Sequence, residues 1–568
     1  MLSRIAALTP KQRTSLAIGL LLLVVAIPLR GLLRQPGPPM EEGFMLVFGE
    51  SFLRGDIPNK DFLHLYGPGG VWVLAGVFKL FGTTLFVERM VGLAQLLGVV
   101  FGVFFLARPW GRKIALIAGA VAALVIIPPI GLTALAWNGG LAFGLLGCLA
   151  GLHATRHPEA RRRAVLGLVS GMLFGAALLY RPDLILAVGL VVLVLWRRLE
   201  GRVRHRLLIG GAALLSLYLV HVAMAGIGDS IQGMVIDPLF NLRGGRSLPL
   251  PPSFDHFDGF LLEAKEALQV RWPIPNLGAP AQLATWFWLM LAAVAALVLS
   301  ARRARRRAPD GPTAFAGVTL AVVAAFCVGI LPQALQRPDT VHIAWVSCIP
   351  LAFVAVVGAE LARTRRPSWS SWRVLALGTL PLVAILYLLV PNFLVRDFAD
   401  ISLETFDVRR NSNEIRNDGR VFYYGAESNA AELAELLPVA SRIAKPGDRL
   451  VIGTGDLRKT PLSEAFVYFL LPETRPGTFY IEMDPGVANA DDSRLADDLR
   501  HADLVILSRA WDEFHEPNDS RVLGSTAPNR VLRDRFCSVL NTGTYELLRR
   551  CADGTGPQGE AGGTTAGR

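Results

Sequence analysis

Residues 41–70 read EEGFMLVFGESFLRGDIPNKDFLHLYGPGG, and the rest of the chain is arranged around them. The stretch follows one long apolar run and precedes another, which sets it just outside a bilayer core. It holds Glu41, Glu42, Glu50, Asp56 and Asp61 among aromatic residues and closes on Tyr66-Gly67-Pro68-Gly69. By charge alone, acids after a membrane helix are ordinary solvated loop. Carboxylates held at a membrane surface are also what is needed to take a proton from a hydroxyl group beside a reactant borne by lipid.

Composition points the same way. The chain has 568 residues, 52% of them hydrophobic and 18% charged. Its mean hydropathy is +0.43. A soluble domain carries about 25% charge, so this is a membrane composition. The net charge of +11 is not a nucleic-acid signature, because the basic residues fall in short clusters between apolar runs. Arg161–Arg163, the Arg197–Arg206 group, the Arg302–Arg307 group and Arg363–Arg366 are such clusters. That is the spacing of cytoplasmic loops, and no series of stacking aromatics accompanies it.

A span needs about 20 apolar residues. On that ruler about eleven spans are expected, over 14–33, 86–107, 114–132, 137–155, 164–180, 183–196, 207–225, 284–301, 314–332, 341–361 and 374–391. Basic turns alternate with basic-poor ones, which predicts a cytoplasmic N-terminus and an extracytoplasmic tail. Residues 70–83 are apolar but short and interrupted by Lys79, so an interfacial helix is expected there. The outside loops are then 34–85 and 226–283. In the second of these Leu248–Pro252 reads as a stiff extended piece, Asp255–Asp258 as a polar knot and Phe257–Val270 as a helix.

From about residue 396 the composition changes. Leu450–Ile452, Thr478–Ile481 and Leu504–Leu507 read as buried strands, with helical signals over Leu462–Leu470 and Ser493–Arg500 between them. This predicts an extracytoplasmic α/β domain over 396–552, followed by a Gly-rich tail over 553–568 that cannot build a core. Cys148, Cys327 and Cys348 lie in apolar runs and read as small hydrophobes. Cys537 and Cys551 flank strand-like sequence in the tail, where an extracytoplasmic location makes a disulfide plausible. Gly453-Thr454-Gly455-Asp456 follows a strand but lacks the rest of a nucleotide-binding fingerprint and reads as a turn.

The phrase in the first loop resembles that of the GT-C glycosyltransferases, in the branch of dolichol-phosphate-mannose-type and RgtA/B/C/D-like enzymes. The residues that carry it are Glu41-Glu42-Gly43-Phe44, then Gly55-Asp56-Ile57-Pro58-Asn59-Lys60-Asp61-Phe62, then Tyr66-Gly67-Pro68-Gly69. The likeness is most specific over 38–110 and looser to about 395. It implies a GT-C-like membrane domain over 1–395 that moves a sugar from a polyprenyl-phosphate donor to an extracytoplasmic acceptor, which could be a lipid-linked glycan, a cell-wall polysaccharide or a protein. The implied general base is the first acid of the pair, Glu41. The family more often has Asp there, so the choice between Glu41 and Glu42 stays open.

Other candidates surround that pair. Asp61 has three readings: orienting the acceptor, holding a divalent metal, or capping a short helix. Glu50 lies outside the acidic pair and is expected to be dispensable. His64 and Tyr66 could line the site. Arg181, in Leu178–Asp183, offers a cation for a phosphate leaving group, against the alternative of an arginine reaching for lipid headgroups. Arg337, Asp339 and His342 crowd the short outside turn before the tenth span, and ionisable groups at that level are functional candidates. One His and one Asp are too few to define a metal site. A transport-type or non-catalytic membrane protein of envelope biogenesis is the alternative, but a transporter should show an internal repeat, and none is seen.

Overall fold

Long apolar runs become helices in a bilayer because a helix satisfies its backbone polar groups within its own segment. The computed structural model describes residues 9–37, 39–252, 279–307, 312–408 and 412–551. Among the described residues eight helices are long and apolar enough to cross a membrane: Leu85–Trp110, Arg112–Ile130, Ala160–Tyr180, Gly201–Ala225, Ala281–Arg306, Phe315–Gln336, Thr340–Arg365 and Ser371–Leu389. Ile185, Leu193, Leu219, Leu377 and Leu388 are exposed, as side chains facing lipid tails would be. The chain is a multi-pass helical membrane protein with a small C-terminal sheet domain.

The other three of the eleven expected spans differ. Over 14–33 the helix Pro10–Ala26 stops before Pro28, which cannot continue the hydrogen-bond ladder, and a separate turn Leu29–Leu32 follows. Over 137–155 the helix Ala136–Ala154 forms, but Asn138, His153 and its glycines dilute its apolar character and it is largely buried among its neighbours. Over 183–196 the helical segment Pro182–Trp196 is apolar but short. The 70–83 stretch is the short helix Gly69–Phe81, with Leu80 and Phe81 exposed at its end. Asp255–Asp258 and Phe257–Val270 lie outside the described residues.

The acidic stretch itself begins as a helix, Pro39–Leu53, with Glu41 and Glu42 in its first turn, where the helix dipole favours negative charge. Neighbouring helical positions point about 100° apart, so the two acids face different surroundings. The same helix is pressed onto the C-terminal domain at Gly43. A Cβ there would overlap the Phe466 backbone nitrogen. Gly43→Ala is therefore expected to push helix and domain apart and cost about 1–3 kcal/mol, as overpacking does. A lower melting temperature in detergent and faster proteolysis of the domain would show it.

The helix Asn392–Thr405 runs across residue 395, and sheet structure begins beyond it. Strands β1 (Asn413–Asn417) and β2 (Arg420–Tyr424) form a hairpin. Its turn residues Asp418 and Gly419 both have positive φ, the backbone twist that tight hairpins require. β3 (Arg449–Thr454), β4 (Arg475–Pro476), β5 (Leu504–Ser508), β6 (Phe536–Asn541) and β7 (Tyr545–Arg550) form one sheet in the order β4-β3-β5-β7-β6. β3 runs parallel to β4 and β5, and β7 antiparallel to β5 and β6. The expected strands at 450–452 and 504–507 are the two buried centre strands. The helices between them are Phe466–Leu470 and Leu495–His501.

Thr478–Ile481 is not a strand. Its backbone is engaged elsewhere: the Phe479 amide donates to Asp498 at 2.8 Å, and its carbonyl accepts from the Leu63 amide at 2.8 Å. Those apolar residues serve docking, and Leu63 and Leu65 of the first loop lie in one core with Leu242, Tyr480 and Met483. A second clamp is ionic. Arg420 is bidentate to Glu50, at 2.8 and 2.6 Å, and Arg54 reaches Glu50 at 2.8 Å. Glu50 thus fastens the loop to the domain, contrary to the expectation that it is dispensable. Cys537 and Cys551 frame the β6–β7 hairpin and are joined by a disulfide, with Cα atoms 5.3 Å apart.

Candidate active site

Three chain segments and the first loop converge at one end of the helices. The segments are the turn after Phe315–Gln336, the short helix Arg243–Arg246 and residues 482–516 of the C-terminal domain. The basic cluster Arg302–Arg306 packs near the other end of Phe315–Gln336, where Gly317 meets Ala304 and Arg305. Site and basic cluster are therefore separated by the length of that helix, roughly 33 Å at 1.5 Å per residue.

The two acids of the pair have different fates. Glu42 is fully buried and bidentate to Arg89, with bonds of 2.7 and 2.8 Å. Arg89 spends two further donors on the Leu32 and Gln35 carbonyls. Glu41 is half-buried and, among the described residues, has no ion pair. Burial pushes its carboxyl above the usual glutamate range; Arg246 and Arg337 pull it down and Asp339 pushes it up. Those residues are its charged surroundings. A carboxylate raised by burial, yet faced by arginines, has the profile of a general base.

Arg337 and Asp339 form the turn. The Arg337 Nε donates to Asp339 at 2.6 Å, one terminal nitrogen donates to the Arg246 carbonyl at 2.9 Å, and both terminal nitrogens hold Glu516. Asp339 also caps the helix Thr340–Arg365, accepting from the His342 amide at 2.8 Å and from its ring Nδ1 at 2.8 Å. Burial opposes ionisation of Asp339, but His342 and Arg337 outweigh it and hold the carboxyl below its usual range. The His342 ring lies edge-on to Trp345, 5.2 Å between centroids.

Arg181 makes the same local pair, with Nε and Nη2 bonded to Asp183 at 2.9 and 2.7 Å. Both turns read Arg-Pro-Asp, 181–183 and 337–339, a shared pattern that the reading of the sequence passed over. Gln333 donates to Asp183 and ties the two turns together. The Arg181 guanidinium lies 4.7 Å over the Tyr66 ring and 4.7 Å over Trp137. Burial pushes the Tyr66 hydroxyl up, and its charged neighbours are Glu482, Arg181, Arg246 and Glu41. Tyr66 therefore joins the Arg181 turn to the Glu41 cluster.

His64 is buried, with Nε2 at 3.3 Å from the Gly67 carbonyl. Burial pushes its pKa down to about 3, so the ring is neutral and supports the loop beside Phe48 and Tyr66. Asp61 is exposed and accepts from the Ile57 amide at 2.7 Å, capping its own turn. The structure does not bring it to Glu41. Among the described residues no group of three or more His, Cys, Asp or Glu side chains is disposed to hold a metal ion. Gly453–Asp456 ends β3 in a turn in which Asp456 binds Arg458 at 2.6 Å.

Residues remote in the sequence complete the cluster. Arg246 bonds Asp484 through Nη2 and has Glu482 at 3.6 Å from the same nitrogen. Among the described residues its Nε and Nη1 bond nothing, so donors remain. Met483 adopts φ +53°, and that tight turn lets Glu482 and Asp484 both reach Arg246. No sequence motif marks Arg246, Glu482, Asp484 or Glu516.

No protein-family model matches the chain, and no curated protein matches it in sequence. Solved structures similar to it include ArnT from Cupriavidus metallidurans bound to undecaprenyl phosphate, 15% identical, with 97% of this chain and 100% of that one covered at a TM-score of 0.48. Another is the Archaeoglobus fulgidus oligosaccharyltransferase AglB in complex with an inhibitory peptide and a dolichol-phosphate. That structure is 10% identical, with 94% of this chain and 74% of that one covered at a TM-score of 0.43.

Proposed function

We propose that the chain is a membrane glycosyltransferase whose active site lies on the extracytoplasmic side, using a polyprenyl-phosphate-linked sugar as donor. The supporting observation is that Glu41, which among the described residues has no ion pair, has Arg246 in its charged surroundings, and that the Nε and Nη1 of Arg246 bond nothing among those residues. In the reaction the Glu41 carboxylate takes the proton of an acceptor hydroxyl. That oxygen attacks the anomeric carbon, the bond from the anomeric carbon to the phosphate oxygen breaks, and polyprenyl phosphate leaves with the electron pair. Arg246 offers the cation that stabilises the departing phosphate, while Arg337, Asp339 and His342 hold the backbone on which Arg246 sits. Arg181 and Tyr66 form the wall beside them.

The orientation follows from the basic clusters, which the charge rule keeps in the cytoplasm. The acceptor is a hydroxyl-bearing glycan, lipid or protein outside the membrane. Mass spectrometry of envelope glycans and polyprenyl-phosphate sugars, with and without the protein, tests the reading. Loss of one glycan form together with build-up of one lipid-linked sugar is expected. Identical profiles would refute it.

A further inference from the structure

Glu482 is the group in this cluster that the reaction above does not use. It is 2% exposed, and among the described residues both carboxyl oxygens are buried without a hydrogen-bond partner. Buried polar atoms are nearly always bonded in folded proteins, and leaving a carboxyl unbonded is costly. Its nearest cation, Arg246, bonds Asp484 instead and stands at 3.6 Å. The side chain is held in this position by a backbone that turns at Met483 with positive φ, and Met483 is itself fully buried. The charge of Glu482 raises the Tyr66 hydroxyl, and the charge of Glu41 in turn raises Glu482. Among the described residues only the ion pair with Arg246 at 3.6 Å offsets that cost, so the hydrogen-bonding capacity of the carboxyl is left for a ligand.

Resting on the glycosyltransferase reading, we propose that Glu482, contributed by the C-terminal domain, is a substrate-binding residue that holds hydroxyl groups of a sugar beside Glu41. A carboxyl with both oxygens free can accept from two neighbouring hydroxyls, and in its protonated form can also donate. Burial and Glu41 push the Glu482 pKa up to about 7 against the pull of Arg246, which suits a group exchanging hydrogen bonds with neutral hydroxyls. The C-terminal domain then completes the site, and its docking through Glu50–Arg420 and Gly43 sets where the sugar sits.

The test uses full-length protein in membranes of a strain lacking the chromosomal copy. Transfer is driven by the host's own extracted polyprenyl-phosphate-sugar fraction, and Glu482→Leu and Glu482→Gln are compared with wild type. Glu482→Leu is expected to melt at or above the wild-type temperature, because an unbonded buried carboxyl is removed. Its apparent KM should rise about ten- to a hundredfold, the loss of a hydrogen-bonded charged group. Glu482→Gln, which still hydrogen-bonds, should fall between the two. A rise confined to titration of the lipid-linked fraction places the hydroxyls on the transferred sugar, and one confined to titration of acceptor membranes places them on the acceptor. Wild-type KM in Glu482→Leu, or a lowered melting temperature with transfer falling only in proportion to folded protein, would overturn the inference and leave the function standing. Absence of transfer by the wild type would remove both.

Discussion

Glu41→Gln is expected to lower sugar transfer about 10²- to 10⁴-fold, the usual loss when a general base is removed, with the protein still inserted and folded. Glu41 can be changed without structural damage because, among the described residues, no ion pair holds its carboxylate, which bonds its own backbone amide and otherwise meets its neighbours through their charge. The amide keeps the size and a hydrogen bond but cannot take the acceptor proton. Donor binding should survive, since Arg246 and the turn it rests on are untouched. The pH profile gives a second readout. Burial raises the Glu41 carboxyl above 4.5, so wild-type kcat/KM should fall as the solution is made more acid, with a midpoint above that value. Glu50→Gln is unsuitable as a control, because Glu50 anchors Arg420. The exposed Glu159, paired with Arg162 far from the site, serves instead and should leave transfer unchanged. A Glu41→Gln protein that transfers at the wild-type rate would end the catalytic assignment.

The acidic pair could be found in the sequence because acids placed just after an apolar run, among aromatics, are visible as a local pattern. Which acid faces the site could not, since that depends on Arg89, 47 residues further along, claiming Glu42. Arg337, Asp339 and His342 could be read for a similar local reason: three ionisable groups in a short turn between two spans. Arg246 ends a four-residue helix and Glu482 and Asp484 stand in a loop, and all three acquire meaning only when the C-terminal domain folds back over the first loop. The same docking explains the missing strand. Thr478–Ile481 is apolar enough to pass for a buried strand, and it is buried, but against Leu63 and Asp498 instead of a sheet neighbour. The centre strands at 450–452 and 504–507 were legible because burial on both faces leaves an unbroken apolar run. Span number was less so, as Pro28 and the glycines of Ala136–Ala154 change helix length and character without removing the apolar composition.

Glu42→Gln should behave in the opposite way to Glu41→Gln, although the two residues are adjacent. The Arg89 and Glu42 side chains are 2% and 0% exposed. Removing one charge takes the bidentate partner from a guanidinium in a dry site, which costs up to about 3–5 kcal/mol, with Glu88 the carboxyl left near it. The damage would spread, because Arg89 also binds the Leu32 and Gln35 carbonyls and so fixes the chain that enters the acidic helix. Next to the pair, Glu88 accepts from the Ala134 amide at 2.6 Å, and Gly92 abuts the Leu132 carbonyl so closely that a Cβ would overlap it. Glu42→Gln and Arg89→Met are each expected to give low yields of folded protein and a lower melting temperature in detergent. The double variant Glu42→Leu/Arg89→Met should recover part of that loss, since replacing both members of a buried pair by apolar groups is far less costly than orphaning one. What folded Glu42→Gln can be isolated should transfer at a rate within a few fold of wild type. A well-folded Glu42→Gln protein without transfer would move the base from Glu41 to Glu42 and make Arg89 its partner in catalysis.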